Sequence, residues 1–139
     1  MNRWILAWVL LVLLSGGGCV KIGPRSDEDV YKDLIKQFDD LTGSLMRVTD
    51  ETSAKETRPR VQKTGSKIQD LVTMKQENEG RAQQNANAAE IKKKYEPQLS
   101  STISRAVSQF QRIRRQVPAG KEVADEAEKI FTLCGISVK

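Results

Sequence analysis

Apolar residues recur at steps of three and four along most of the chain, the spacing that places side chains on one face of an α-helix. The first such segment follows Ser26 and carries Val30, Leu34, Phe38, Leu41, Leu45 and Val48. Ser26 and the three acids after it are typical of a helix start, because they stabilise free backbone N–H groups. The pattern predicts a first helix from Ser26 to about Val48 that continues through Gly43.

A second helix is predicted from Ser53 to about Gly80. Its start is indicated by the sequence SAKE, in which Ser53 and Glu56 have the spacing of a capping box. Its apolar face is formed by Val61, Gly65, Ile68 and Val72. Pro59 falls in the second turn, where a missing backbone donor is expected to kink or delay the helix.

A third segment keeps the same spacing from Ala88 to Val117. Pro97 lies inside it, so we expect this helix either to kink or to split in two. A fourth, shorter helix is predicted from Lys121 to about Thr132, with Gly135 as its stop. The fold class is therefore predicted as all-α, an up-down bundle of three principal helices plus a short C-terminal helix over residues 26–139.

The N-terminal segment has a different pattern. Trp4 to Leu14 is an unbroken run of eleven apolar residues after Arg3. A helix needs about 20 apolar residues to cross a bilayer, whereas this length and flank are typical of a signal peptide. As a buried helix the run would be apolar on all sides, which a small bundle could hardly cover. We therefore predict that residues 1–18 are a signal peptide and that the protein is exported.

The residues Gly16-Gly17-Gly18-Cys19 resemble the lipobox of bacterial lipoprotein precursors, whose pattern is Leu, Ala or Ser, Gly or Ala, then Cys. Gly16 stands where leucine is usual. The resemblance implies that Cys19 carries a diacylglyceryl group, that cleavage occurs before it, and that residues 19–25 form a short tether. It also implies a membrane partner in the cell envelope, with the outer membrane favoured because Val20 rather than Asp follows the cysteine.

Ordinary secretory cleavage among the glycines stays open as an alternative, because small residues suit that cut as well. The product would then be a soluble secreted protein, in which a disulfide between Cys19 and Cys134 is available. If Cys19 is acylated, Cys134 is the only thiol of the mature chain and is expected to be a small buried residue.

A second resemblance concerns LMRVTDETSAKETRPRV, Leu45 to Val61. This segment resembles short helical exported proteins, often lipoproteins, that are described only as uncharacterised. The resemblance supports the helical fold and implies no activity.

Charge is unevenly distributed along the body of the chain. Residues 26–51 hold eight acids and three bases, residues 55–67 one acid and five bases, and residues 92–115 one acid and seven bases. In one interpretation, anionic lipid head groups or an envelope polysaccharide bind two basic rows, Lys92, Lys93, Lys94 and Arg112, Arg114, Arg115. In the interpretation that we favour, the acidic first helix lies between two basic helices and the charges complement each other. Nucleic acid is not expected as a partner, because no aromatic residues alternate with the bases.

Catalytic motifs are absent from the sequence. The chain has no histidine and two cysteines, and it contains no nucleophile elbow, phosphate-binding loop or dinucleotide fingerprint. We therefore expect no enzyme activity, no cofactor and no metal, and interpret the helical domain as a binding or structural module of a membrane-anchored lipoprotein. Its partner is an unidentified envelope protein or polysaccharide, and self-association is compatible with the sequence. An enzyme of unrecognised type is the alternative from another class.

Overall fold

The computed structural model describes residues 25–81 and 87–138. The predicted signal peptide, Cys19 and the tether up to residue 24 lie outside these ranges. The described residues form α1 (Asp27–Met46), α2 (Glu51–Arg81), α3 (Ala88–Gln116), a 3₁₀ turn (Pro118–Gly120) and α4 (Lys121–Leu133). Helices contain 88% of these residues and no strand occurs among them, so the predicted all-α class is confirmed.

Contacts near the helix ends define the direction of each helix. The side-chain amide of Asn78, near the end of α2, donates a hydrogen bond to the carbonyl of Arg25, just before α1. Tyr95, in the second turn of α3, donates to Glu28 in the first turn of α1. α1 is therefore antiparallel to α2 and parallel to α3. α4 packs against α2 and α3 and completes the predicted up-down bundle.

The core is built from the predicted apolar stripes. Every residue of the predicted α1 stripe is buried, from Val30 to Val48. α2 contributes Val61, Ile68 and Leu71, and two aromatic rings meet where α4 packs against α3. There Phe110 of α3 and Phe131 of α4 meet edge to face with their ring centroids 5.6 Å apart, a geometry that aromatic quadrupoles favour.

The start of α2 differs from the prediction. Asp50, rather than Ser53, is the capping residue: the backbone N–H of Ser53 donates to the Asp50 carboxylate at 2.8 Å. In return, the Asp50 backbone N–H donates to the Ser53 hydroxyl at 3.0 Å. The capping box therefore lies three residues earlier than expected, because the helix itself begins at Glu51. These hydrogen bonds lower the pKa of Asp50.

Both internal prolines lie within unbroken helices. Pro59 is in α2 and Pro97 is in α3, and both side chains are exposed to solvent. α3 therefore does not split at Pro97, and α2 is not delayed, since it begins eight residues before Pro59. The buried stripes keep the same phase on both sides of each proline. Packing of those stripes offsets the backbone hydrogen bond that each proline removes.

Gly120 lies directly against buried side chains of α3 and of the segment that follows α1. A β-carbon built on it would lie 2.6 Å from Cγ2 of Ile113 and 2.9 Å from Cγ1 of Val48. Both neighbours are fully buried β-branched residues, which have little rotamer freedom to move away. Gly43, in contrast, faces open space on α1.

We predict opposite effects of alanine at these two glycines. Gly43→Ala should raise the free energy of unfolding by about 0.5–1 kcal/mol, because alanine loses less backbone entropy in a helix. Gly120→Ala should lower it by about 1–3 kcal/mol through overpacking. Urea unfolding of residues 20–139, followed by circular dichroism, measures both changes. A Gly120→Ala variant as stable as the parent would show that the packing around residue 120 is looser than described.

Candidate functional site

The six basic residues predicted as an anion site lie at opposite ends of α3. Lys92, Lys93 and Lys94 are in its first two turns, and Arg112, Arg114 and Arg115 are in its last two turns. At a rise of 1.5 Å per residue the two rows are about 30 Å apart. They are therefore two separate groups, and one small anion cannot contact both.

In the N-terminal row, two of the three lysines have intramolecular partners. The Lys92 ammonium is 3.9 Å from Glu96, and that of Lys94 is 3.7 Å from Glu28. Lys94 also lies 4.9 Å above the ring centroid of Tyr95, close enough for a cation–π interaction. Lys93 is exposed and forms no ion pair with any residue in 25–81 or 87–138.

Glu28 is the centre of the junction between the starts of α1 and α3. Its carboxylate accepts the hydroxyl hydrogen bond of Tyr95 and lies 3.0 Å from the Lys32 ammonium. The hydrogen bond from Tyr95, followed by those from Lys32, lowers the pKa of Glu28 from 4.5 to about 2. The junction therefore favours a charged Glu28 and links the acidic first turn of α1 to the basic start of α3.

In the C-terminal row, Arg112 completes the end of α1. Its Nη2 donates to the carbonyls of Leu45 at 2.9 Å and Val48 at 3.2 Å, and its Nε donates to the side chain of Gln109 at 2.8 Å. The last carbonyls of a helix have no partner within the helix. Arg112 supplies a donor to one of them, that of Leu45, and to the carbonyl of Val48 just beyond the helix, so its guanidinium is occupied inside the bundle.

The other two arginines of this row differ from each other. Arg114 lies 3.5 Å from Glu128 of α4 and 5.4 Å above the ring centroid of Phe110. Arg115 is exposed, and the described part of the chain offers it no ion pair. Four of the six predicted residues thus have partners within the bundle, and Lys93 and Arg115 do not.

Ion pairs between helices follow the packing. Arg105 of α3 lies 2.8 Å from Asp39 of α1, as the expected charge complementarity requires. The bases of α2 behave differently, because Arg58 pairs with Glu122 and Glu126 of α4. Within residues 25–81 and 87–138, no ion pair joins α1 to α2. The acidic helix is therefore matched to its basic neighbour on one side only.

A groove that was not predicted lies between α1 and α2. It has a volume of about 660 Å³ and begins beside Arg25. Lys36 of α1 and Lys67 of α2 line it, and Leu71 and Met74 supply its apolar surface. We call it the α1–α2 groove. The spacing of α2 residues 67, 71, 74 and 78 places them on one face, but nothing in the sequence shows that α1 leaves this face partly open.

Cys134 follows the last residue of α4 and is half buried. Burial raises the pKa of its thiol to about 11, so little thiolate forms at neutral pH, and the thiolate is the reactive form. It contacts no other cysteine among the described residues, while Cys19 lies outside them.

Comparison of the chain with protein-family models, with curated proteins and with solved structures finds no match. Across residues 25–81 and 87–138, no group of three or more Asp, Glu, Cys or His side chains is arranged to hold a metal ion. None of the helices in that part of the chain is long and apolar enough to span a membrane.

We predict that Arg112 stabilises the bundle and that Arg115 does not. Arg112→Met keeps most of the side-chain volume but removes the donors to the carbonyls of Leu45 and Val48, so the free energy of unfolding should fall by about 1–3 kcal/mol. Arg115→Met, the matched control, should change it by less than about 0.5 kcal/mol. Chemical unfolding of both variants tests this. Equal effects would show that Arg112 does not act as a cap.

We also predict that Glu28 makes stability depend on acidic pH. Because its pKa is about 2 in the folded protein and 4.5 ordinarily, its contribution is complete above pH 4.5 and disappears as the pH falls towards 2. The unfolding midpoint of the wild type should therefore fall more steeply across this range than that of Glu28→Gln. Tyr95→Phe, which removes the main donor, should give an intermediate curve. Parallel curves for all three proteins would contradict the assignment.

Proposed function

We propose that the protein is a membrane-anchored lipoprotein of the cell envelope, whose helical bundle is a binding or structural module. The observation that carries the proposal is the order of segments at the N-terminus: a basic start, eleven apolar residues from Trp4 to Leu14, small residues, and then Cys19. That order is typical of an exported chain and, through its cysteine, of a lipidated one.

The position of α1 is compatible with a short tether. α1 begins at Asp27 with Ser26 as its cap, so only Val20 to Arg25 separate an acylated Cys19 from the bundle. Six extended residues reach at most about 20 Å. The end of the bundle that contains Arg25 and Asn78 would therefore lie near the membrane, and in an upright bundle the opposite end of α2 would project about 45 Å away from it.

An anchor of this kind is strong enough to hold the protein. Each buried CH₂ of an acyl chain contributes about 0.8 kcal/mol, and a single chain gives only reversible binding. The two or three chains that the lipoprotein resemblance implies would retain the protein on the membrane. The module would then meet its partner, an envelope protein or polysaccharide, within a fixed distance of the bilayer.

The alternative, a polyanion or anionic-lipid binding protein that uses the basic rows of α2 and α3, has less support for the six residues of α3. Arg112 and Arg114 contact α1 and α4, and Lys94 contacts Glu28. Binding of an anion there would have to compete with contacts inside the bundle. We therefore do not assign the anionic partner to these residues.

We predict that the wild type incorporates labelled palmitate and partitions into the detergent phase. Cys19→Ala should abolish the label and leave the signal peptide uncleaved by the lipoprotein peptidase, because the sulfur that accepts the lipid is gone. The bundle should still fold, since Cys19 precedes its first helix. Cys134→Ala is the matched control and should keep both the label and the partitioning. A wild type that carries no label and partitions into water would overturn the anchor, and a disulfide between Cys19 and Cys134 would then be the next test.

A further inference from the structure

A row of bases on α2 has no partner in the described part of the chain. Arg60, Lys63 and Lys67 are three and four residues apart, so they form one stripe about 10 Å long on the helix surface. All three are exposed, and none forms a hydrogen bond or ion pair with a residue in 25–81 or 87–138. The other early bases of the helix, Lys55 and Arg58, are paired with Glu51 and Glu122.

Lys36 of α1 extends this row across the α1–α2 groove. It is exposed and lines the groove together with Lys67. We call Lys36, Arg60, Lys63 and Lys67 the basic stripe. The acids of the groove are Asp33, Asp70 and Glu77, and Asp33 is already paired with Arg25. Arg81 also lines the groove, so its bases and acids nearly balance. The excess of positive charge comes from Arg60 and Lys63, which lie on α2 beyond Lys67 and outside the groove lining.

Two apolar side chains, Leu71 and Met74, lie among the charged residues of the groove. Leu71 is buried at its base, and Met74 is 38% exposed, one of three large apolar side chains that the described residues leave exposed. Methionine adapts its shape to different partners and is frequent at binding surfaces. No aromatic ring lines the groove, so nucleic-acid bases would find nothing to stack on. Apolar side chains of a partner would cover Met74 well.

We propose that the α1–α2 groove and its basic stripe bind an acidic, amphipathic segment of a partner protein. Carboxylates of the segment pair with the basic stripe, and its apolar side chains cover Leu71 and Met74, as in the recognition of helices by grooves. Charge complementarity of this kind fixes the orientation of a segment and speeds its association. The inference rests on the proposed role of the bundle as a binding module, and it does not require acylation of Cys19.

The test places the photo-crosslinking residue p-benzoylphenylalanine at position 74 of the full-length protein in its own cells. The same residue at position 93, which is exposed on α3, is the control. After irradiation, mass spectrometry identifies the segment that is attached. Position 74 should attach to a defined protein segment in which Asp and Glu outnumber Lys and Arg, and position 93 should not.

Charge reversal then tests the basic stripe. With the crosslinker at position 74, Lys63→Glu with Lys67→Glu should reduce the crosslinked product at least about fivefold, because attraction becomes repulsion. Lys92→Glu with Lys93→Glu changes the charge equally and should leave it unchanged. Circular dichroism verifies that each variant folds. If the variant with Lys63→Glu and Lys67→Glu does not fold, Lys63→Gln with Lys67→Gln replaces it. A peptide with the sequence of the attached segment should bind the purified protein less tightly as salt increases.

Several outcomes would overturn the inference: no product specific to position 74, attachment to lipid, polysaccharide or nucleic acid, a segment without excess acid, or equal losses from both charge reversals. Failure of the anchor is distinguishable from these outcomes. A wild type without palmitate that still attaches an acidic segment at position 74 would remove the lipid anchor and support the groove. A wild type that carries palmitate but attaches no acidic segment at position 74 would support the lipid anchor and overturn the groove.

Discussion

Five apolar side chains of α1 are shielded from water by α2 on one side and by α3 on the other: Val30, Leu34, Phe38, Leu41 and Leu45. Burial of this stripe holds the two longest helices in place, since they make few contacts with each other. α4 is too short to do the same along the whole bundle. α4 covers only the end of the bundle where α2 begins and α3 ends, and there Phe131 packs against Phe110. The contacts that the charged residues make with neighbouring helices depend on this central position of α1.

The packing decides which charged residues are occupied. Because α1 ends beside the last turns of α3, Arg112 reaches the carbonyl of Leu45. Because α4 lies beside the start of α2, Arg58 reaches Glu122. The seam between α1 and α2 has no such pair among the described residues, and its bases are left at the surface. An uneven arrangement of four helices thus converts a sequence rich in both charges into a surface with a local excess of positive charge.

Helical periodicity was sufficient to predict the helices and most of the core, because the spacing of apolar residues records which side of a helix is buried. The predicted cap of α2, Ser53, was wrong. Asp50 and Ser53 are both good capping residues, and only the backbone shows which of them is used. It was harder to predict which residue each charged side chain would contact. These contacts depend on the axial position of one helix against the next, so Arg112 looked identical to Arg115 in the sequence. The stripe of Arg60, Lys63 and Lys67 follows from their spacing alone, although its lack of partners does not.

Arg25, the last residue of the proposed tether, also lines the groove. Asn78 is level with Arg25, so along α2 the basic stripe begins about 16 Å beyond this point at Lys67 and ends about 27 Å beyond it at Arg60. Charges at the surface interact over only about 8 Å at physiological ionic strength. For a bundle that stands on an acylated Cys19, the stripe lies beyond the reach of the head groups. The positive charge of the stripe is then available to a protein in the aqueous layer, which is why we assign the stripe to a protein segment rather than to the membrane.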